Sequence, residues 1–389
     1  MKNLLVKTVL SLSAIFLSLT LLAQEYTFKK VREIRVESLA EVGIRDYDPK
    51  RDLFVGFIDK RSDGIELAVF DANGKILASQ KREGEGPEDY QSSALAMGFS
   101  PEGDVFVQTS LELVKYDTQF KRISKVKFEP KTTVVVYSGP RSKFVPLTRG
   151  NDVSFIVNGS NLNSRGFNDT PKKMDMIDYY DAGSQIIKSV IPLSSRKVFE
   201  GIEDEVFPVN INPIFSIDSR NSNLYFTTSI DNEITVYNPI NWNVIQRIPV
   251  KHEFFKALDD IPLREANLGP MDKPPLFSRN QEILKFDSDL LGLIYVKEIS
   301  EAANELRKTN GETFWMFDPE FQRIILFKNG VQLPGELAIP SGLIQMTLPN
   351  NRVLVKVVNE EEELDYYPFE IWELVEKQAA PKSVKLSTD

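Results

Sequence analysis

A polar turn followed by a run of β-branched and aromatic residues recurs six times along this chain of 389 residues. Turn residues placed before such a run are the sequence signature of β-hairpins. The runs begin at Leu53, Val105, Val153, Leu224, Leu293 and Val353, with separations of 52, 48, 71, 69 and 60 residues. Four strands of about six residues and their turns need roughly 40 residues. The repeat therefore predicts four-stranded units with insertions between some of their strands.

A second hairpin follows the run in most copies. In five of the six, a strand of hydrophobic and aromatic residues ends at Asp or Asn, turns through polar residues and restarts with Ile or Val. One aromatic residue recurs in this third strand, and packing between neighbouring units explains such a repeat more economically than ligand stacking. These aromatic residues are Phe70, Tyr116, Tyr180, Tyr237 and Phe317.

The last unit has no fourth strand of its own, and the alternating residues 28–37 near the N-terminus supply one. A strand from one end of the chain that completes the unit at the other end closes a ring and removes free sheet edges. The sequence therefore predicts an all-β fold, a six-bladed β-propeller with four-stranded blades. A β-sandwich or two successive all-β domains is the alternative, but no linker-like stretch divides the six units.

The predicted propeller domain spans 24–377, and its surplus length predicts insertions. The predicted blades cover about 42–82, 94–129, 142–193, 211–250, 280–329 and 341–376. The predicted insertions are 159–173, 196–208, 253–275, 300–312 and 359–368. Within them, residues 254–258 and 302–307 are candidates for short helices. The tail, 378–389, lacks apolar periodicity and is expected to be disordered.

The first 23 residues have the layout of a secretory signal peptide. Lys2 and Lys7 precede and enter an apolar run that reaches the small residue Ala23 before a polar stretch. A retained membrane anchor is the alternative interpretation. The chain contains no cysteine, which excludes the lipid-modified cysteine of a bacterial lipoprotein. We therefore expect an exported protein, periplasmic or extracellular, with no membrane span once the signal is removed.

Charge and composition exclude several classes of function. The formal net charge is −9 and the sequence has no long basic run, so nucleic acid is not an expected partner. His252 is the only histidine, which leaves a Ser-His-Asp triad dependent on that residue and excludes zinc sites built from His and Cys clusters. From its position at the end of a strand-like run, His252 is expected to face solvent or cap the strand. We expect the protein to be a monomer.

Three stretches carry a resemblance to a known family: "GEGPEDY" at 84–90, "VFDANGKIL" at 69–77 and "VYNPINWNVI" at 236–245. With them the chain resembles the six-bladed β-propeller family of secreted bacterial proteins, which is related in architecture to NHL-type propellers. The resemblance covers nearly the whole mature chain and implies the fold and an exported location. Most members of that family have no assigned activity, so the resemblance implies no reaction. Many of its members are lipoproteins, and this chain departs from them in having no cysteine.

Ligands of propellers usually meet residues at one mouth of the central channel, next to the innermost strands. Three arginines converging there would form an anion or carboxylate site, because each guanidinium offers paired donors. The alternative is that these polar residues satisfy backbone carbonyls around the channel or face solvent. The candidate ligand-binding residues are Arg45, Asp46, Arg141, Asn212, Arg279 and Asn280.

The stretch "REGEGPEDYQ" at 82–91 is either a phosphate cradle or a loop between blades. A phosphate loop would need a Lys and a following helix, and four acids would repel phosphate. We interpret it as an inter-blade loop, in which Gly84 and Gly86 adopt backbone angles closed to other residues and Pro87 stiffens the exit. Tyr90 is the fourth residue of this loop for which we expect a structural role.

The sequence leaves three hypotheses about function. The first is a non-enzymatic module that binds a protein, peptide or glycan partner through one face of the ring. The second is a propeller-type hydrolase, such as a calcium-dependent lactonase, or a glycan-processing enzyme with its site at the channel mouth. The third is a scaffold subunit of an envelope complex. No catalytic residue, metal ligand or cofactor is assigned, and the acidic loops lack the twelve-residue spacing of a calcium loop.

Overall fold

The computed structural model contains six four-stranded antiparallel sheets arranged as a ring, which confirms the predicted six-bladed β-propeller. The chain enters the fold through strand β1 (Tyr26–Glu37), which belongs to the last blade. The structure describes residues 26–129, 143–149, 152–159, 175–199, 206–207, 212–218, 220–256, 261–262, 276–287, 289–312, 315–358 and 364–377.

The first three blades take their strands in chain order. Blade 1 consists of β2 (Glu41–Asp48), β3 (Leu53–Asp59), β4 (Ile65–Asp71) and β5 (Ile76–Gln80). Blade 2 consists of β6 (Ala96–Phe99), β7 (Val105–Gln108), β8 (Glu112–Tyr116) and β9 (Arg122–Lys127). Blade 3 consists of β10 (Pro146–Arg149), β11 (Asp152–Gly159), β12 (Asp175–Asp181) and β13 (Ile186–Pro192).

The next two blades follow the same order, and a small additional sheet is formed by one strand that precedes blade 4 in the chain and one that follows it. A two-stranded sheet pairs β14 (Val206–Phe207) with β19 (Ile261–Pro262). Blade 4 consists of β15 (Pro213–Ile217), β16 (Leu224–Thr228), β17 (Glu233–Asn238) and β18 (Asn243–Pro249). Blade 5 consists of β20 (Arg279–Lys285), β21 (Leu290–Val296), β22 (Gln322–Lys328) and β23 (Val331–Ala338).

The N-terminal strand closes the ring, as the alternating residues 28–37 predict. Blade 6 consists of β24 (Leu343–Leu348), β25 (Arg352–Lys356), β26 (Tyr366–Glu376) and β1. Strand β1 runs antiparallel to β26, with Tyr26 opposite Glu376 at one end and Glu37 opposite Tyr366 at the other. Because alternate residues of a strand face one side of its sheet, Ile34 and Val36 of β1 are both buried in the core.

The hydrophobic core is divided among the six spaces between neighbouring blades. Each large buried cluster combines side chains of two adjacent blades, including blades 6 and 1 at the closure. The third-strand aromatics Phe70, Tyr116, Tyr180 and Tyr237 are each buried in one of these clusters. This confirms the prediction that they pack between blades.

The prediction for blade 5 was wrong in two respects. Phe317 lies in a short 3-10 turn, Trp315–Phe317, and not in the third strand, which is β22. The blade does not end near residue 329, because β23 forms its fourth strand and reaches Ala338. The segment assigned to a third strand belongs instead to the long connection between β21 and β22.

One α-helix, α1 (Glu301–Thr309), lies in the part of the chain that the structure describes. It confirms the helix predicted at 302–307. Ser300 caps its N-terminus, because the Ser300 hydroxyl accepts a hydrogen bond from the Ala303 N–H at 3.2 Å. The other predicted helix, 254–258, was wrong for residues 254–256, which have no helical structure. Residues 257–258, the signal 1–23 and the tail 378–389 lie outside the described residues.

Candidate functional site

The connections between strands separate the two faces of the ring. Connections within the hairpins of the blades lie on one face and are only two to six residues long, except in the second hairpin of blade 6, whose strands β26 and β1 are not consecutive in the chain. Connections between these hairpins, and the crossings from blade to blade, begin and end on the other face, and the connections 193–212, 250–278 and 297–321 are among them. We call these the turn-bearing face and the loop-bearing face. The predicted insertion 300–312 lies in the connection 297–321, and the described parts of 196–208 and 253–275 belong to connections of the same face. The bounds of the other two were wrong where they are described, because Gly159 belongs to β11 and residues 366–368 belong to β26.

The first strands of neighbouring blades contact one another around the centre of the ring. Strand β2 contacts β6 and β24, and β20 contacts β15 and β24, so these strands are innermost. Arg45 and Asp46 lie in β2, Arg279 and Asn280 open β20, and Asn212 directly precedes β15. Arg141 lies outside the described residues.

Arg45 and Asp46 occupy an irregularity in β2, where the register with β3 shifts between Ile44 and Asp46. Asp46 is buried, and its Oδ2 accepts a hydrogen bond from the Phe99 N–H at 2.8 Å. Its other oxygen lies 2.6 Å from Lys143 Nζ. The Asp46 carboxylate therefore links blade 1 to blade 2 and to the segment that precedes blade 3.

The Arg45 side chain has a different environment. Its guanidinium carbon lies 4.6 Å from the ring centroid of Phe57, and the guanidinium makes no hydrogen bond or ion pair with any described residue. Burial lowers the pKa of Arg45 from its usual value to about 10. A half-buried guanidinium that makes no ion pair remains able to bind an anion.

The structure brings Asn212 and Asn280 together through Ser229, which follows β16. The Ser229 N–H donates to Asn212 O at 3.0 Å, and Ser229 O accepts from the Asn280 N–H at 2.8 Å. The Asn280 side-chain amide donates to the backbone oxygens of Thr228 and Asp231, at 2.9 and 2.8 Å. Asn280 is thus buried and its donors are used within the fold, which agrees with the alternative of a structural role.

Arg279 precedes Asn280 and lies opposite Val296 at the loop-bearing end of blade 5. Burial lowers the pKa of Arg279 from its usual value to about 10. Ile44 and Asp46, on either side of Arg45, pair with Gly56 and Val55 near the start of β3, whereas Val296, the partner of Arg279, is the last residue of β21. The two arginines therefore occupy different levels of their blades and do not form one cluster.

His252 does not face solvent or cap a strand, so that expectation was wrong. Its Nε2 lies 2.8 Å from Asn280 Oδ1, and its ring packs against Phe255 and Tyr295, with centroid distances of 4.2 and 4.8 Å. Burial lowers the pKa of His252 from 6.5 to about 4. The histidine is a neutral hydrogen-bonding group that joins the crossing after blade 4 to blade 5.

A buried ion pair near Asn280 was not predicted from the sequence. Arg196, in the crossing after blade 3, and Asp231, between β16 and β17, are both buried. Arg196 Nε donates to Asp231 Oδ2 at 2.6 Å, and Nη2 donates to Glu233 O at 2.8 Å. Nη1 donates to the Thr235 hydroxyl. The pair fixes the crossing onto blade 4, and no periodic pattern marks it.

The stretch 82–91 connects β5 to β6 on the loop-bearing face and is bound to blade 2. Tyr90 is fully buried in the core between blades 1 and 2. The Tyr116 hydroxyl donates to Glu88 O at 2.8 Å, and Glu88 Oε2 accepts from the Arg122 N–H at 2.6 Å. Lys125 Nζ donates to Asp89 O at 3.0 Å. The segment is held by the blade rather than open to a ligand.

The expected reason for the glycines of this stretch was wrong. Neither Gly84 nor Gly86 has a φ in the left-handed region. A Cβ on Gly84 would lie 2.6 Å from Asp89 Oδ2, and one on Gly86 would lie 2.7 Å from the same atom. The Asp89 carboxylate accepts a hydrogen bond from the Gly86 N–H at 2.9 Å. Both glycines therefore make room for that carboxylate, and Pro87 lies in the turn between them and Asp89.

A further group at the loop-bearing end of blade 5 was also missed. Lys297 follows β21, and its Nζ lies 5.7 Å from the ring centroid of Phe254 and 5.8 Å from that of Phe321. Burial lowers the pKa of Lys297, and the nearby Arg323 lowers it further. The residues come from separate connections, so their spacing in the sequence gives no signal of the contact.

No metal or membrane feature stands out in the described ranges. Nowhere among the described residues do three or more His, Cys, Asp or Glu side chains form a group that could hold a metal ion. None of the described helices has the length and apolar character needed to cross a membrane. The calcium-dependent enzyme stays a hypothesis from the sequence.

The comparisons with known proteins give information about the fold of this chain. No family model and no curated protein matches this chain. A solved structure of a member of the DUF4221 family from Bacteroides vulgatus is similar, with a TM-score of 0.60 and 10% identity over 91% of this chain and 100% of that chain. A candidate exported protein from Bacteroides fragilis has a TM-score of 0.48 and 10% identity over 92% of this chain and 96% of that chain. At such identity, the first likeness shows the β-propeller fold alone.

Proposed function

We propose that this chain is an exported binding module that holds a protein, peptide or glycan partner on its loop-bearing face. The observation that carries the proposal is the unequal length of the connections on the two faces. Binding residues are disproportionately found on loops that a rigid scaffold positions. Six closed blades provide the scaffold, and the connections 193–212, 250–278 and 297–321 provide loops beyond what strand pairing requires.

The arrangement of the chain ends supports the same face. Tyr26 of β1 and Glu376 of β26 lie opposite each other at the turn-bearing face. The described fold therefore begins and ends on the side away from the long loops. An attachment at either end, whether a retained anchor or an affinity tag, leaves the loop-bearing face accessible.

Site-specific photo-cross-linking in the native host tests the proposal. A photoreactive amino acid at Leu306 or Leu111 samples the loop-bearing face, and one at Ile240 samples the turn-bearing face. These side chains are 63%, 45% and 62% exposed, so Leu306 and Ile240 are a matched pair. We expect a discrete cross-linked species from Leu306 or Leu111 and none from Ile240. Equal cross-linking from both faces, or cross-linking from Ile240 alone, would contradict the proposal.

Export is the second part of the proposal and is tested separately. It is supported by the signal-peptide layout of residues 1–23. We expect protein recovered from the periplasm or the medium of a bacterial host to begin at Gln24, as measured by mass spectrometry of the intact chain. A chain that keeps residues 1–23 and stays with the membrane would support the anchor instead.

A further inference from the structure

Two cations at the loop-bearing end of blade 5 form no ion pair with a described residue, although Glu320 and Glu336 act on Lys297 from beyond ion-pair distance. Arg279 begins β20, and Val296, which lies opposite it, directly precedes Lys297. Neither the Arg279 guanidinium nor the Lys297 amine makes a hydrogen bond or ion pair with a described residue. The nearest acidic neighbour in sequence, Glu298, is paired with Lys256 at 2.8 Å. The end of this blade therefore offers two cationic donors to a ligand.

Aromatic rings hold one of these cations in place. Lys297 Nζ is within 6 Å of the rings of both Phe254 and Phe321, a distance at which a ring face attracts a cation. Phe254 is 58% exposed, which is unusual for a large apolar side chain. An exposed ring beside an unpaired amine presents apolar area and positive charge together.

The segment that carries Phe254 is ordered by the outer strand of blade 5. The Lys251 N–H donates to Gln332 Oε1 at 2.8 Å, and the Glu253 N–H donates to Glu336 Oε1 at 2.8 Å. The Phe254 N–H donates to the Tyr295 hydroxyl at 3.3 Å. A partner that binds here meets a surface that is already formed, which lowers the conformational cost of binding.

Helix α1 extends the surface. The Arg307 guanidinium carbon lies 5.5 Å from the ring centroid of Phe321, and the neighbouring Leu306 is 63% exposed. The underside of the helix packs on Val296 and Ile299 through Ala303. We define the blade 5 patch as Phe254, Arg279, Lys297, Leu306 and Phe321.

We propose that the blade 5 patch binds a peptide segment of a partner protein in which a carboxylate lies next to a large apolar side chain. The inference rests on the proposed function and deepens it. Lys297 and Arg279 supply donors for the carboxylate, and Phe254 with Leu306 supplies the apolar contact. A peptide fits better than a glycan, because the exposed apolar groups are a phenylalanine and an aliphatic leucine rather than a platform rich in hydrogen-bonding side chains.

The negative net charge of the chain does not prevent the binding of an acidic peptide segment. The formal charge of −9 opposes an acidic partner at long range. At physiological ionic strength, however, charge interactions are screened over about 8 Å, so the unpaired cations nearest the ligand dominate the contact. The affinity should therefore fall as salt is added, since the contact depends on those cations.

Selection from a phage-displayed library of random 12-residue peptides tests the proposal on the whole folded protein. We expect the selected peptides to share Asp or Glu beside an aromatic or aliphatic residue. By fluorescence anisotropy, Lys297→Gln should weaken binding of a selected peptide about tenfold or more, because it removes a charge-assisted contact. Phe254→Ala should also weaken it. Lys75→Gln, at an exposed lysine of the turn-bearing face, is the matched control and should leave Kd unchanged.

The melting temperature of each variant shows whether it is folded. Selected peptides without the acidic and apolar pair, or equal binding by Lys297→Gln and Lys75→Gln, would overturn the proposal. Oligogalacturonate that displaces the peptides and binds more tightly than any of them would assign the patch to a carboxylated glycan and overturn it as well. Cross-linking through Leu111 that persists unchanged in Lys297→Gln would leave the binding face in place and refute only the patch.

Discussion

His252 makes the stability of this protein depend on pH between pH 7 and pH 5. The Asn280 side-chain N–H groups are used by two backbone oxygens, so Asn280 Oδ1 accepts a hydrogen bond and His252 Nε2 must donate it. The neutral imidazole makes this bond. Burial lowers the pKa of His252 from 6.5 to about 4, because a second proton would place an uncompensated charge between Phe255 and Tyr295.

The sign of the effect follows from linkage. Between pH 6.5 and 4 the unfolded chain binds a proton at His252 that the folded chain does not, so the free energy of unfolding falls as the pH falls through this window. With these two pKa values, the loss between pH 7 and pH 5 is about 2 kcal/mol. The stabilisation is fully present above the unfolded pKa, and it is lost progressively as the pH approaches the folded pKa.

Urea unfolding at pH 7, 6 and 5 measures this loss directly. The chain has no other histidine, so a His252→Gln variant removes the only imidazole and keeps a neutral N–H donor near the same position. We expect the variant to lose about 2 kcal/mol less than the native chain between pH 7 and pH 5. Carboxylate titration is common to both proteins and cancels in the difference. Parallel pH profiles for the two proteins would refute the reasoning.

Three further predictions concern the stability of the fold around the candidate site. Arg196→Met leaves the buried Asp231 carboxylate unpaired and should lower the free energy of unfolding in urea by about 3–5 kcal/mol, and adding Asp231→Asn should restore part of the loss. Gly86→Ala places a Cβ against the Asp89 carboxylate and should cost about 1–3 kcal/mol, whereas the same change in an Asp89→Ala background should cost much less. A chain without β1 should melt far below the native protein, because β1 buries two aliphatic side chains and pairs along the whole of β26. A synthetic β1 peptide added in solution should restore the melting temperature.

The overall fold was predictable because its signals are local and repeated. Hairpin turns, alternating strands and one aromatic residue in most third strands mark each blade, and closure follows from counting strands. The second-strand starts at Leu53, Val105 and Leu224 coincide with the first residues of β3, β7 and β16. Such patterns can be recognised without knowledge of tertiary contacts, because each depends on neighbours in the same hairpin.

Blade 5 was mispredicted because its fourth strand contains residues that normally disfavour strands. Pro334 and Gly335 interrupt β23, and Gly335 has a φ of 77°. The two residues are tolerated because β23 is an edge strand with a shifted register, so that the N–H that proline lacks is not needed for a hydrogen bond between strands. The aromatic run ending at Phe317 resembles a third strand in sequence, but the chain uses it in a connection.

The candidate site was predictable only in part, because its contacts join residues that are far apart in sequence. Arg45 and Arg279 are in innermost strands as expected, yet the register places them at different levels. The contact of Lys297 with Phe254 links two separate connections of the loop-bearing face. Periodicity cannot indicate which residues of two irregular segments will meet.

The repeated Asp or Asn at the end of the third strand shows why function must be sought outside the repeat. The side-chain oxygens of Asp71, Asp117, Asp181 and Asn238 each accept a backbone N–H two residues later, at 2.8 to 3.0 Å. This hydrogen bond closes the turn into the fourth strand, so the motif is local turn chemistry. A residue that serves the same purpose in several blades cannot distinguish one ligand from another. Residues that occur once on the loop-bearing face, such as Lys297, break the repeat, and recognition by this protein should therefore be tested there.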